Sequence, residues 1–263
     1  MILFIFEGKR REPELYKTME YLFFRKKNNI IFSFCNNIYV LYQKMHESDF
    51  TEDIVTVLQR DLQDRQDNPL KKYMRSDFSE IFLFFDYDCH NQNLNKGIPL
   101  ETTNSRLTEM LAFFNNETEN GKLYINYPMV ESIRYTRQLP DHNFNSYTVS
   151  LPSCADFKQI TNDFSYYGNL DFISFRLNKQ GEIKVPSQNA AGKIDELKAN
   201  WNALKIQHVL KAVFICSAAA VLPEKKVPID QEELFTAQLT KYVQPENEVA
   251  VLNSFPIFLY DYL

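Results

Sequence analysis

Apolar and polar positions along the chain divide it into short buried strands and amphipathic helices. Ile2-Leu3-Phe4-Ile5-Phe6 and Ile81-Phe82-Leu83-Phe84-Phe85 are apolar throughout. A strand with one wet face alternates polar and apolar residues. A run without alternation predicts a strand buried on both faces, as in a parallel sheet covered by helices. Residues Ile30–Cys35 and Lys122–Tyr127 read as two further strands, the second stopped by Pro128. Helical spacing lies between them. Over Glu12–Lys26, Leu15, Met19, Leu22 and Phe23 share a face, and Pro13 suits a first turn. Over residues 51–65, Ile54, Val57 and Leu58 do the same behind a Thr51 cap. Thr103–Asn115 repeats the pattern, whereas Ile38–Met45 opens a helix or a further short strand. Residues 66–78 and His90–Gly97 are polar connections. Strands alternating with helices predict an α/β fold with a parallel sheet built from right-handed crossovers.

Both apolar runs end in acid. The first breaks into Glu7-Gly8-Lys9-Arg10-Arg11-Glu12-Pro13-Glu14, and the second into Asp86-Tyr87-Asp88. In open α/β sheets ligands bind in the crevice beyond the carboxyl ends of the strands, so Glu7, Asp86 and Asp88 converge there if their strands are neighbours. Clustered carboxylates repel one another unless a cation sits among them, and hard oxygen donors suit Mg²⁺ or Mn²⁺. Tyr87, between the two aspartates, points away from them and is assigned no chemistry. Glu131, just past the fourth strand, is a fourth candidate, either a second-metal ligand or a group that orients one. It reads equally well as a first-turn glutamate favoured by a helix dipole.

A strand ending in Glu-Gly, followed by a later strand ending in Asp-x-Asp, resembles the Toprim domain of topoisomerases, primases and certain nucleases. The string Glu7-Gly8-x-x-x-Glu12-Pro13 is most similar to small Toprim proteins of the overcoming-lysogenization-defect kind, some of which accompany ABC-type ATPases in bacterial phage-defence systems. The resemblance covers about residues 1–130. It implies a Toprim-like parallel sheet flanked by helices and a metal-dependent nuclease acting on DNA or RNA, tRNA included. It also implies an ATPase partner or self-association. Residues 1–137 form the expected catalytic domain, and 138–263 a mainly helical C-terminal extension.

The chain has 263 residues and a net charge of −5, against the basic balance usual in nucleic-acid-binding domains. Its cations are uneven, however. Lys9-Arg10-Arg11 abut the first acidic cluster, Arg25-Lys26-Lys27 close the first helix, and Lys71-Lys72 with Arg75 precede the second acidic strand. Local basic patches can hold a phosphodiester while the global charge stays negative. Lys9, Arg10 and Arg11, and Arg134 with Arg137 on a common helix, are the candidate nucleic-acid contacts; each set also reads as a solvated surface. Cys35, Cys89, Cys154 and Cys216 are scattered without a CxxC pair, the pattern of reduced thiols in a cytoplasmic protein. No apolar run is long enough to span a bilayer, and no GxxxxGK[ST] phosphate loop is present.

The second half is less regular. Residues 138–153 read as a boundary or long loop. Residues 192–217 read as a helix whose apolar face includes Leu197, Trp201, Leu204 and Val209. Lys205 on that helix is a candidate for stabilising charge on a scissile phosphate, or plain surface filler. The tail Phe255-Pro256-Ile257-Phe258-Leu259-Tyr260 is too apolar to dangle and docks either on this protein's body or on a partner.

The charges frame the expected chemistry. Ions held by Glu7, Asp86 and Asp88 lower the pKa of a bound water, unless Glu7 instead serves as general base. Arg10 or Arg11 stabilises growing phosphoryl charge, and Glu12 orients the Gly8–Lys9 loop or binds a second metal. The rival reading keeps the fold and makes the acidic cluster a regulatory site of a non-hydrolytic subunit in an ATPase complex.

Overall fold

The computed structural model describes all residues except 25–28, 62–67, 90–97, 220 and 223. The chain runs through β1 (Ile2–Phe6), α1 (Arg11–Phe23), β2 (Asn29–Ser33), α2 (Ile38–His46), α3 (Ile54–Asp61), β3 (Glu80–Asp86), α4 (Leu100–Phe113), β4 (Asn115–Asn116) and β5 (Gly121–Asn126). It continues through β6 (Thr148–Ser150), α5 (Phe157–Phe164), the long α6 (Ala190–Ser217), α7 (Gln231–Gln238), the single turn α8 (Gln244–Glu246), β7 (Glu248–Ala250) and α9 (Ser254–Tyr262). Short 3-10 turns, Val130–Arg134 among them, connect several of these.

The main sheet has the order β2-β1-β3-β5-β4. Its first four strands are parallel, and the two-residue β4 pairs antiparallel with β5. The chain leaves β1 for β2 on one side and returns to β3 on the other. The β1–β3 boundary is therefore the switch point at which α/β sheets open a crevice.

Unbroken apolar runs form β1 and β3 because both faces of the sheet are covered. On one face Phe4 and Phe6 lie beside Phe82 and Phe84, each pair 5.4 Å between ring centres, and Tyr124 stacks on Phe84 at 5.4 Å. Tyr16 of α1 closes this layer over Phe4 at 4.0 Å. Phe255 and Phe258 of α9 close it over Phe84 and Phe82, at 4.7 and 5.0 Å. Leu3, Ile5, Ile81 and Leu83 alternate with these rings along the strands and are also fully buried. α2 packs against α3 and α4, and α4 against β5 and α7.

The sequence-based expectations meet the structure unevenly. The strands at 2–6, 30–35, 81–85 and 122–127 are present, and Ile38–His46 is a helix, its first turn capped by the Asn37 side chain accepting from Val40 N–H at 3.0 Å. Residues 138–153 are more ordered than expected. They contain β6, which pairs with β7 in a separate two-stranded sheet. Arg25-Lys26-Lys27, the end of the 51–65 helix and the His90–Gly97 connection lie outside the described residues.

The carboxyl-terminal segment takes the first of its two expected places, on this protein's own body. It is a helix, and Phe255, Ile257, Phe258 and Leu259 are wholly buried in this chain's own core. These four side chains are therefore not available to a partner. Phe258→Ala should cost about 3–5 kcal/mol, the range for truncating a buried aromatic ring, read from urea unfolding. A loss under 1 kcal/mol would mean that the helix does not cement the sheet.

Candidate metal centre

Glu7 and Asp86 meet because β1 and β3 are parallel neighbours in register Phe6↔Phe84. The ladder continues past Phe6, with Glu7 N–H donating to Phe84 O at 3.1 Å. The Glu7 side chain then turns across to β3, where its Oε2 accepts the Asp86 N–H at 3.0 Å. Asp86 is 9% exposed, and its Oδ1 accepts from Asn126 Nδ2 at 3.0 Å on the next strand. Asp88 follows in the left-handed region (φ 49°), a conformation aspartate tolerates better than most residues, and its N–H donates to Pro128 O at 3.3 Å. Tyr87 between them is buried away from the cluster and donates to Asn104 Oδ1 at 2.8 Å.

Glu12 has a structural duty that explains the Glu7-Gly8-x-x-x-Glu12 spacing. In the first turn of α1, its Oε1 accepts the Gly8 N–H at 3.0 Å. A Cβ on Gly8 would lie 2.6 Å from Glu12 Oε2, so glycine is what allows the carboxylate to seat against the loop. Of the two roles expected for Glu12, loop orientation is the one its contacts display. Glu131, in the Val130–Arg134 turn, is buried and forms an ion pair with Arg11.

The electrostatics are those of an uncompensated acidic cluster. Burial pushes the Glu7 carboxyl well above the ordinary value of 4.5, the Asp88 charge adds to this, and the Asp86 N–H opposes it. Burial likewise drives Asp86 well above 3.8, reinforced by Glu7, Glu12 and Asp88. Glu12 is raised chiefly by burial, with Glu131 adding and Arg11 opposing. This mutual repulsion is what a divalent cation would relieve, and the donors are the hard oxygens that Mg²⁺ or Mn²⁺ accepts. The donor chemistry fits such an ion. The present rotamers do not form a ready cage: among the described residues no group of three or more His, Cys, Asp or Glu side chains is arranged to hold a metal as it stands.

The remaining candidates scatter. Lys9 and Arg10 are exposed beside the cluster. Arg134 is 3% exposed and donates to Tyr167 O at 3.1 Å and to Asn162 Oδ1. Arg137 lies outside the Val130–Arg134 turn and stacks over Phe164 at 4.7 Å, so the two arginines do not share a helix. Lys205 is half-buried on α6 and makes no ion pair or hydrogen bond with the carboxylates among the described residues. The fully buried α6 lysine is Lys211, which donates to Phe144 O at 3.0 Å and to Tyr147 O.

Two residues with clear roles escaped the sequence reading. Asn126 is nearly inaccessible and orients Asp86; an asparagine ending a strand is its only sequence signal. Tyr39 donates to Tyr87 O at 2.7 Å, pinning the backbone between the two aspartates from α2.

No protein-family model matches the chain, and no curated protein or solved structure is similar enough to count as a match.

The raised carboxyl pKa values fix a direction for stability. A carboxyl whose folded pKa exceeds its unfolded one near 4.3 contributes fully below that value and loses the contribution as pH rises through the folded pKa. Glu7→Gln, which keeps an acceptor for the Asp86 N–H, should therefore raise the melting temperature in metal-free buffer at pH 8, by about 2–4 °C per kcal/mol recovered. The gain should shrink towards pH 4. A Glu7→Gln protein that melts lower than the parent at pH 8 would contradict the repulsion.

Proposed function

We propose that this chain is a divalent-metal-dependent nuclease that hydrolyses phosphodiesters of DNA or RNA, tRNA among the latter. One observation carries the reading. The Glu7 carboxylate and the Asp86 backbone join at 3.0 Å across the switch point of a parallel sheet, where half-buried Glu7 and buried Asp86 both have raised pKa values and the Glu7 charge adds to the rise at Asp86. The Toprim resemblance of Glu7-Gly8 and Asp86-Tyr87-Asp88 agrees with it. Glu7, Asp86 and Asp88 would hold the ion, which when bound supplies a water of lowered pKa and a counter-charge for the phosphate.

The chain's own groups supply the rest. The Asp86 N–H fixes one oxygen of Glu7, leaving the other to face the metal or a water. Asn126 holds Asp86 through one oxygen and leaves the second free of that contact. Arg10, exposed at the start of α1 and without an ion pair among the described residues, is placed to stabilise charge on a phosphoryl oxygen, whereas Arg11 is engaged by Glu131.

One observation favours the rival reading, a non-hydrolytic subunit of an ATPase complex. The acids do not stand in a ligand cage, and Glu131 is already neutralised. A partner, whether an ABC-type ATPase or a second copy, would have to use a surface other than the buried residues of α9. No helix among the described residues is long and apolar enough to cross a membrane.

Mg²⁺ or Mn²⁺ should raise the melting temperature of the parent and not that of Asp86→Ala. Glu7→Ala and Asp86→Ala should each lower metal-dependent cleavage of nucleic acid by at least about a hundredfold, the scale of losing one preorganised electrostatic group. Undiminished cleavage by purified Glu7→Ala protein would rule the mechanism out. A metal-dependent rise in melting temperature with no cleavage of any nucleic acid would favour the regulatory subunit.

A further inference from the structure

A second site lies beside the acids. A cavity of about 310 Å³ opens between the start of α1, helix α5 and the loop at Gly168–Asp171. Arg10, Arg11, Arg134, Lys158 and Arg176 line it against only two acids, Glu14 and Asp171. The pairs that exist leave the imbalance in place. Arg176 grips Asp171 through two hydrogen bonds of 3.1 and 2.9 Å, and Arg11 pairs with Glu131 outside the cavity. Arg10 and Lys158 then have Glu14 as the remaining acid of the lining, Arg134 also feels Glu131, and none of the three forms an ion pair within 4.0 Å among the described residues.

Arg134 gives the cavity its built character. Its guanidinium is buried and donates to Tyr167 O and Asn162 Oδ1, and the charges that act on it are the cation Arg11 and the anion Glu131, which is already paired with Arg11. One carboxylate shared between two arginines, with Arg10 and Lys158 close by, leaves a net positive site that a further anion would complete. The volume lies at the lower end of the roughly 300–1,000 Å³ typical of small-ligand sites, enough for one nucleotide-sized group and far too little for a duplex.

We propose that this cavity binds a phosphate-bearing nucleotide unit of a single-stranded nucleic acid lying beside the acidic crevice. The ligand's identity rests on the nuclease reading; the cavity's preference for a phosphate anion rests on its own cations. Arg11 lines the cavity and its charge also reaches Glu12 of the acidic cluster, so a strand whose phosphodiester sits at Glu7 and Asp86 has the cavity as its next anchoring point. Glu14 does not spoil the site, since burial raises its carboxyl pKa and Arg10 compensates it.

Fluorescence anisotropy tests this with twelve-nucleotide single-stranded DNA and RNA of one sequence, in EDTA, on full-length Glu7→Gln protein so that nothing is cut. Added to that background, Lys158→Glu should weaken binding about tenfold and reduce the salt dependence by one to two phosphates' worth, about 0.7 each. Gly168→Trp, where a side chain meets open space, should weaken binding comparably by filling the cavity. Lys72→Glu, on an exposed lysine that precedes the amino end of β3 and not its carboxyl end, should leave it unchanged. Both exposed substitutions keep the fold, and thermal melts verify that.

Binding within twofold of the background for both cavity variants would overturn the proposal, as would an equal loss in Lys72→Glu. A free nucleoside 5′-monophosphate that competes as well as the oligonucleotide would also overturn it, assigning the cavity to a small metabolite. The cleavage assay remains a separate readout. Cavity-dependent binding without cleavage by the parent removes the nuclease reading alone, and cleavage with cavity-independent binding removes the cavity alone.

Discussion

One amide side chain joins the carboxyl-terminal helix of this molecule to its acidic centre. Asn126 stands at the carboxyl end of β5, where its Nδ2 donates to Asp86 Oδ1 at 3.0 Å. Its Oδ1 accepts from Ser254 N at 3.0 Å and Ser254 Oγ at 2.7 Å, at the first turn of α9. Both polar atoms of a buried amide are thus satisfied, the condition for such a group not to destabilise the core. Next to it, Asn253 caps α9 by accepting from Phe255 N–H, while His208 Nδ1 accepts the Asn253 N–H at 3.0 Å. Burial and the nearby Lys211 hold His208 neutral, so it serves as an acceptor here and not as a base. A helix from the far end of the sequence therefore fixes the rotamer of an aspartate in the third strand.

This arrangement explains what could be read from sequence and what could not. The sheet was legible because β1 and β3 are buried on both faces, and a doubly buried strand advertises itself as an unbroken apolar run. The meeting of Glu7 with Asp86 followed from the same fact plus strand adjacency. The roles of Asn126 and Tyr39 were invisible, because each depends on which elements pack together and not on local spacing. The helix at Ser254–Tyr262 was hidden for a related reason. A stretch apolar on all sides has no amphipathic period to reveal it, and it buries itself between the sheet and α6. Arg134 and Arg137 failed in the opposite way. Their spacing suggested one face of a helix, but the turn ends at Arg134, so one guanidinium is buried and the other covers a phenylalanine ring.

The two charge fields at this end of the sheet constrain each other. Three carboxyls with raised pKa values crowd one side, and arginines with little compensation crowd the other. If all the acids were ionised and all the cations paired elsewhere, the acids would bear the full penalty of buried like charges. The fold instead interposes Arg11, whose guanidinium pairs with Glu131 while its charge also opposes the rise at Glu12 and depresses Arg134. An exposed ion pair contributes little, but Glu131 is buried, so the pair's value lies in preventing an isolated buried charge. The Gly8 loop is the second device. By accepting the Gly8 N–H, Glu12 is held by a backbone donor at the start of a helix, where the dipole also favours negative charge. The acidic sequence Glu7 to Glu14 is consequently a graded series. Glu7 faces the crevice, Glu12 is turned into the loop, and Glu14 borders the basic cavity. That gradation follows from helical geometry: α1 begins at Arg11 and rotates successive side chains away from the strand end, so a single contiguous stretch of sequence furnishes an acidic crevice on one side and a wall of the basic cavity on the other.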